Sequence, residues 1–359
     1  MLSLKEDSSV REPQRILRCE GLGMTMGREK KRAASYSRLV FATVGFVVML
    51  ASAIGQQANI PTNQPKLDRR VAITVDDLPG AVPGSDKANG RLRDLQSYNR
   101  KIIEVLRGHD APAVGLVIGM KMEVPRERDA RAEILEEWVK AGFDLGNHTY
   151  SHLHFKDMTL EQFEDDTLRG DVITRAILSD NGRTERYFRH PGFSEGSTPA
   201  IEKTFEEFLR SRGYDIAPVS VEDADYQFND VLADARAHKD QQLAMKTKAL
   251  YIEHALAMFD YVEGQSIQRF DRDIPQIFLI HDNQINAETL NTLLTDLEHR
   301  GYRFISLDDA LRDPAYAPES QPVGALGKGY YMWWGPPGGP RIPGWITAKF
   351  QAIRKANGT

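Results

Sequence analysis

Cysteine is all but missing from this chain of 359 residues: Cys19 is the only one. An intrachain disulfide is excluded, and so is a metal site built on thiolates. Any metal must be held by histidines and carboxylates. An excess of positive charge is missing too. The 46 Lys and Arg face 51 Asp and Glu, a formal net charge of −5. That argues against a nucleic-acid binder, which would normally show a basic face. Long apolar runs are absent except for "LVFATVGFVVMLASAIG" at 39–55. Histidine is scarce, nine in all, yet His148, His152 and His154 crowd into "HTYSHLH".

The single apolar run follows a basic stretch, Arg28, Lys30, Lys31 and Arg32, and contains a small-x-small site at Ala51-Ser52-Ala53. Its core of ~15 residues is short for a spanning helix and right for a secretory signal. Residues 1–53 are read as an N-terminal extension with a signal peptide. It is expected to start at Met24 or Met26 and to be cleaved after Ala53. An uncleaved anchor is the alternative, and the only expected tie to a membrane. Either way the body is expected outside the cytoplasm, periplasmic or secreted. Residues 54–69, polar and Pro-bearing, read as a linker.

A rhythm begins after the linker. "RVAITVDD" (70–77) is a β-branched apolar strand. Helical spacing follows at 91–110, then a buried strand at 112–119. Residues 128–142 read as a helix ended by Gly142. "FDLGNH" is a short strand. Residues 159–180 read as a helix with Thr159 as N-cap and Gln162 in the capping-box position. The alternation continues with "RYFRHP" (186–191), a helix at 197–213 with Pro199 in its first turn, and "YDIAPVS" (214–220). A long helical insert is expected at 230–263. "PQIFLIHD" (275–282), a helix at 287–301, "YRFISL" and "LDDALRD" close the series.

Repeated βα units predict a parallel sheet with helices outside it. The polar residues favour a barrel of seven or eight units, because barrel chemistry collects at the C-terminal ends of the strands. Asp76 and Asp77 end the first strand and His148 the third. Arg189 ends the fourth, Asp225 follows the fifth, and His281 ends the sixth. The catalytic unit is read as 70–312. The tail, 313–359, contains the aromatic, Pro/Gly-rich stretch 329–345 and is read as a surface wrap outside the core.

His148 and His152 are spaced i, i+4, which on a helical turn puts both imidazoles within reach of one ion. His154 is out of phase and is not read as a ligand. The adjacent aspartates Asp76 and Asp77, just past a buried strand, require a compensating cation or arginine. One Asp with two His makes a facial triad with open positions, able to polarise a carbonyl and activate water. The unligated Asp would then take the water's proton. Arg189 would pair with that Asp, His281 would serve as the acid, and Asp225 would hold His281 protonated.

In this order the motifs resemble those of the NodB-type polysaccharide deacetylases, carbohydrate esterase family four. "TVDD" (74–77) resembles the family's first motif and "HTYSH" (148–152) its His-Ser/Thr-x-x-His motif. "RHPGF" (189–193), "EDADY" (222–226) and "LIH" (279–281) are similar to the other three. The resemblance implies a distorted barrel with Asp76 as base and Asp77, His148 and His152 as ligands of one divalent ion. That ion would be zinc, with cobalt, nickel and manganese also suited to the donor set. His281 would be the acid, with Asp225 and Arg189 as orienters. The N–H after Pro191 would hold the oxyanion, and Leu279 would line a pocket for the acetyl methyl. Val75 replaces a Phe, and Gly192 stands where the family has an aromatic, with Phe193 one place later. Tyr226 replaces a Trp on the groove wall, and Glu222 replaces an Asp. Asp223 and Asp225 both fit the fourth motif, with Asp225 taken.

The implied partner is an acetylated glycan, chitin-like, peptidoglycan or xylan, and no nucleic acid. The activity expected is metal-dependent removal of N- or O-acetyl groups. Two alternatives stand beside it: a related barrel amidohydrolase on a small C–N substrate, or a non-catalytic, glycan-binding envelope protein.

Overall fold

The computed structural model describes residues 67–81, 90–317 and 339–357. The signal and linker up to residue 66, and Trp333 and Trp334, lie outside those residues. Nine α-helices and eight strands are described: β1 Arg70–Leu78, α1 Leu92–Gly108, β2 Ala113–Val117, α2 Arg128–Lys140, β3 Asp144–Asn147, α3 Leu160–Asp180, β4 Tyr187–Phe188, α4 Pro199–Ser211, β5 Asp215–Ile216, β6 Val221–Glu222, α5 Asp225–Ala237, α6 Gln241–Phe270, β7 Gln276–His281, α7 Gln284–His299, β8 Arg303–Phe304, α8 Leu307–Leu311 and α9 Gly344–Asn357. Among the described residues no helix is long and apolar enough to cross a membrane.

The strands form one sheet in the order β5-β4-β3-β2-β1-β7-β6, with β8 paired to β1. All pairings are parallel. β1 is central, and Val71, Ala72, Ile73, Val75 and Leu78 are almost wholly buried. A strand covered on both faces reads as a continuous apolar run, as this one does.

The order of the sheet shows that it is curled. Its two edge strands, β5 and β6, are separated in sequence only by residues 217–220. Seven strands laid flat would put those edges ~29 Å apart at the usual strand spacing. Four linking residues reach no more than ~18 Å. The sheet therefore bends into a half-barrel, as the placing of the polar residues predicted.

The capping box at α3 is present, with the Gln162 N–H on Thr159 Oγ1 and the Thr159 N–H on Gln162 Oε1. Two expectations are corrected. The insert is not one helix: α5 begins at Asp225, and Asp240 restarts the chain as N-cap of α6, its carboxylate accepting from Leu243 N–H. An aspartate there satisfies a free N–H at a helix start, which ends the first helix and opens the second. The tail is not wholly outside the core. Its end forms α9, which buries Ile346 and Phe350. Lys349 pairs with Asp234 of α5 at 2.7 Å. The Pro/Gly-rich composition upstream concealed the i, i+4, i+7 spacing of Ile346, Phe350 and Ile353.

Candidate active site

Neighbouring strand residues normally point to opposite faces of a sheet, so Asp76 and Asp77 should diverge. They do not, because Asp77 adopts φ 73° and the β1–β2 register shifts between Val75 and Leu78. This left-handed residue turns the second carboxylate to the side of the first. Asp76 stays in the ladder, level with His281 on β7.

The loop after β3 brings the histidines in. It is not a helical turn. Thr149 and His152 both have positive φ, and the segment is irregular. The loop is held from outside: Asn147 Oδ1 accepts from Thr149 N–H, while Asp166 of α3 accepts from the Ser151 N–H and hydroxyl. Gly170 of α3 faces the same loop, and a Cβ there would lie 2.5 Å from the Thr149 carbonyl carbon. So α3 presses directly on the loop backbone. The i, i+4 spacing pointed to the right pair, but two left-handed residues rather than a helix face put their rings 4.8 Å apart.

Asp77, His148 and His152 offer ligand atoms all within 4.8 Å of one another. His148 Nδ1 meets the Arg189 carbonyl at 2.9 Å. A carbonyl only accepts, so Nδ1 carries the proton and Nε2 presents a lone pair. Burial lowers the pKa of His148, which favours that neutral form. Asp77 Oδ1 is buried with no hydrogen-bond donor, and His152 Nε2 stands 3.4 Å from it. Burial alone would raise the Asp77 carboxyl, but Lys121 first, then His152, His281 and His148, hold it well below the usual carboxylate range. Two imidazoles and an orphaned carboxylate oxygen fit a divalent cation.

Asp76 is separately neutralised. Arg189 Nη1 donates to its Oδ1 at 2.6 Å, with both side chains buried. The same guanidinium bonds Thr74 Oγ1 and the Ala217 and Pro218 carbonyls. Those carbonyls belong to the β5–β6 link, so Arg189 closes the barrel seam as well as fixing Asp76.

Asp225 opens α5 and meets His281 Nδ1 at 2.6 Å through Oδ1. Its Oδ2 accepts from the His281 N–H, Asn283 Nδ2 and Asn286 Nδ2. Desolvation opposes charge on His281, yet Asp225 outweighs it and the imidazole is raised to about 10. Asp223, the other candidate, does not reach His281 in this way. It accepts from the Asp225 N–H, and burial beside Asp225 and Glu222 pushes its own carboxyl well up. Replacing Asp225 with Asn is expected to move the alkaline limb of the kcat profile down by more than one pH unit. The raised His281 keeps its proton until pH passes about 10, and without the facing charge it loses that proton earlier. A pH–rate profile of both proteins checks this.

The remaining predicted residues are on the turn after β4, at the start of α5 and within β7. Pro191 is buried, and Gly192 is exposed with φ 55°. Pro191 has no N–H, and the Phe193 and Ser194 N–H groups close the turn on the carbonyls of His190 and Pro191. The Gly192 N–H is then the donor that such a turn leaves without an internal partner. Tyr226, 41% exposed, stands edge-on to His281 with ring centroids 6.1 Å apart. Leu279 lies two residues below His281 on the same face of β7, buried.

Sequence reading missed Lys121. It is buried, and Nζ reaches the Asp77 and Gly80 carbonyls at 3.1 and 3.0 Å and Asp77 Oδ2 at 3.4 Å. Each aspartate thus has its own buried cation. Asn283 and Asn286 were missed too, although both follow "LIH" within five residues.

The structure is a parallel half-barrel with an Asp/His/His cluster that could hold a metal ion. Residues 63–216 match the family model described as polysaccharide deacetylase. Over that stretch the chain is similar to this family. It is 21% identical over 214 residues to peptidoglycan-N-acetylmuramic acid deacetylase PdaA of Bacillus subtilis, covering 60% of this chain and 66% of that protein. It is 26% identical over 106 residues to a peptidoglycan-N-acetylglucosamine deacetylase of Bacillus cereus, covering 30% of this chain and 40% of that one. The chain thus spans less than two thirds of each of these relatives. Among solved structures, a polysaccharide deacetylase from Bacillus cereus is similar with a TM-score of 0.46 and 17% identity, covering 74% of this chain and 98% of that one.

Proposed function

We propose that the protein is a metal-dependent deacetylase that removes N- or O-acetyl groups from a glycan outside the cytoplasm, chitin-like, peptidoglycan or xylan. One observation carries this reading. Asp77, His148 and His152 converge on one point, while Asp76 and His281 stand beside it as separate groups, each with its own charged partner. Base, acid and metal ligands are thus distinct residues on one rim. The signal-like N-terminus supports the location.

A divalent ion held by Asp77, His148 and His152, with zinc preferred and cobalt, nickel or manganese able to replace it, would polarise the acyl carbonyl and a water. Asp76 accepts the water's proton at its Oδ2, since Oδ1 is held by Arg189. The Gly192 N–H faces the developing oxyanion. His281 gives its proton from Nε2 to the departing amine or alcohol, because Nδ1 is committed to Asp225. Leu279 takes the acetyl methyl, and Tyr226 and Phe193 wall the groove. Acetate and a free amine or hydroxyl result.

Acetate release from chitin oligomers, peptidoglycan and acetylxylan tests the proposal. Activity is expected on at least one, lost in EDTA and restored by zinc or cobalt. Activity that survives full removal of metal would overturn the reading.

A further inference from the structure

The third member of the histidine cluster has no part in the chemistry above. His154 lies outside the Asp77–His148–His152 group. Its position is nevertheless fixed by its neighbours. Phe155 is buried and stacked on Phe163 at 4.3 Å. The Lys156 N–H donates to Ser194 Oγ at 3.0 Å, tying this segment to the loop that carries Gly192. The backbone at His154 is held from its C-terminal side, with His152 two residues before it.

The imidazole so placed lies against Gly192. A Cβ built on Gly192 would lie 2.5 Å from His154 Nε2. A side chain at 192 would require that ring to move, and φ 55° is a second reason for glycine there. This accounts for the departure seen in "RHPGF": a ring from the histidine loop occupies the space that a side chain at 192 would take. The ring itself is partly exposed, and neither nitrogen has a hydrogen-bond or ionic partner among the described residues. A neutral imidazole carries one donor and one acceptor. A hydroxyl complements both. The ring stands beside the turn whose N–H the proposed function assigns to the acyl oxygen.

We propose that His154 is a substrate-contacting, specificity-determining residue whose imidazole hydrogen-bonds a hydroxyl of the sugar that bears the acyl group. This rests on the deacetylase reading and deepens it, naming a sugar rather than an isolated acyl amide as what the rim recognises.

The test uses the full zinc-loaded chain and the N-acetylglucosamine tetramer, with binding measured by calorimetry apart from turnover. His154→Ala is expected to weaken tetramer binding about tenfold, the loss of one well-placed hydrogen bond. His154→Gln, which keeps a donor and an acceptor, is expected to recover most of it. Zinc affinity and hydrolysis of p-nitrophenyl acetate, which has no sugar, should stay unchanged in both variants. Equal tetramer binding by wild type and His154→Ala overturns the proposal, as does wild type that fails to bind the tetramer. A fall in zinc affinity overturns it by making His154 a ligand, and a parallel loss on the aryl ester by making it a support for the catalytic groups. Acetate release from the same tetramer is read separately. If the tetramer binds through His154 but no acetate is released, the deacetylase reading falls and the sugar contact stands.

Discussion

Asp76→Asn is expected to lower kcat by about 10²–10⁴-fold, the range for loss of a general base, while zinc affinity stays within a few-fold. The asymmetry follows from the geometry. Asp76 faces Arg189 through Oδ1, and its other oxygen is 3.6 Å from His148 Nε2. Asp77 meets both histidines instead, His148 at 3.8 Å and His152 at 3.4 Å. Asn keeps the size of the side chain and can still accept from Arg189, but it cannot take a proton from water. The substitution also leaves the buried Arg189 without its counter-charge. Breaking a buried pair in this way costs up to about 3–5 kcal/mol. Urea unfolding of the variant, run beside the kinetics, separates lost chemistry from lost fold. Near-normal turnover in a folded Asp76→Asn protein would remove Asp76 as the base.

Asp77→Ala is expected to do the opposite to the metal. Zinc binding by calorimetry should fall by at least about 100-fold, and turnover should disappear with it. The remaining two imidazoles cannot supply the charge or the third donor that a facial site requires. Stability should fall as well. Lys121 would be left buried at 2% exposure without its ion-pair partner, a cost of up to about 3–5 kcal/mol. Wild-type zinc affinity in Asp77→Ala would show that the ion is held elsewhere and would undo the site.

Lys121 sharpens the contrast between the two aspartates. Asp77 has one oxygen turned towards the ammonium and the other, without a hydrogen-bond donor, towards the histidines. The lysine thereby helps fix which oxygen is offered to an ion. Nothing near "TVDD" announced it, because the contact joins residues 44 positions apart. The same holds for Gly170 and Asp166, which shape the histidine loop from the middle of α3. They look like ordinary helix residues until the helix is seen against the loop.

Some of the site was legible because local chemistry forced it. A run as apolar as "IFLIH" can only be a buried strand, and a histidine at its end must emerge at the rim. "TVDD" follows the same logic, and so does the capping box of Thr159. The insert was misread as continuous because Asp240 was not weighed as a cap, although its residue type carried that signal. The two-residue strand β6 had no such signal, since its pairing with β7 alone makes it a strand. The choice between Asp223 and Asp225 was likewise invisible. Two residues apart, both carboxylates could reach the rim, and only the φ of 52° at Ala224 and the start of α5 aim the second at His281.

By itself the sequence determined the alternation of strand and helix, the end of the barrel at which polar groups gather, and the residue types available for ligand, base and acid. These depend on periodicity and side-chain chemistry, which are properties of neighbours along the chain. The tertiary structure alone decided how those groups face one another. A left-handed turn at Asp77 set both aspartates on one side, two left-handed residues closed the histidine loop, Arg189 sealed the seam between the edge strands, and Lys121 came to rest against Asp77. Each is a contact between distant segments or a backbone strain stabilised by such contacts, and no local pattern encodes either.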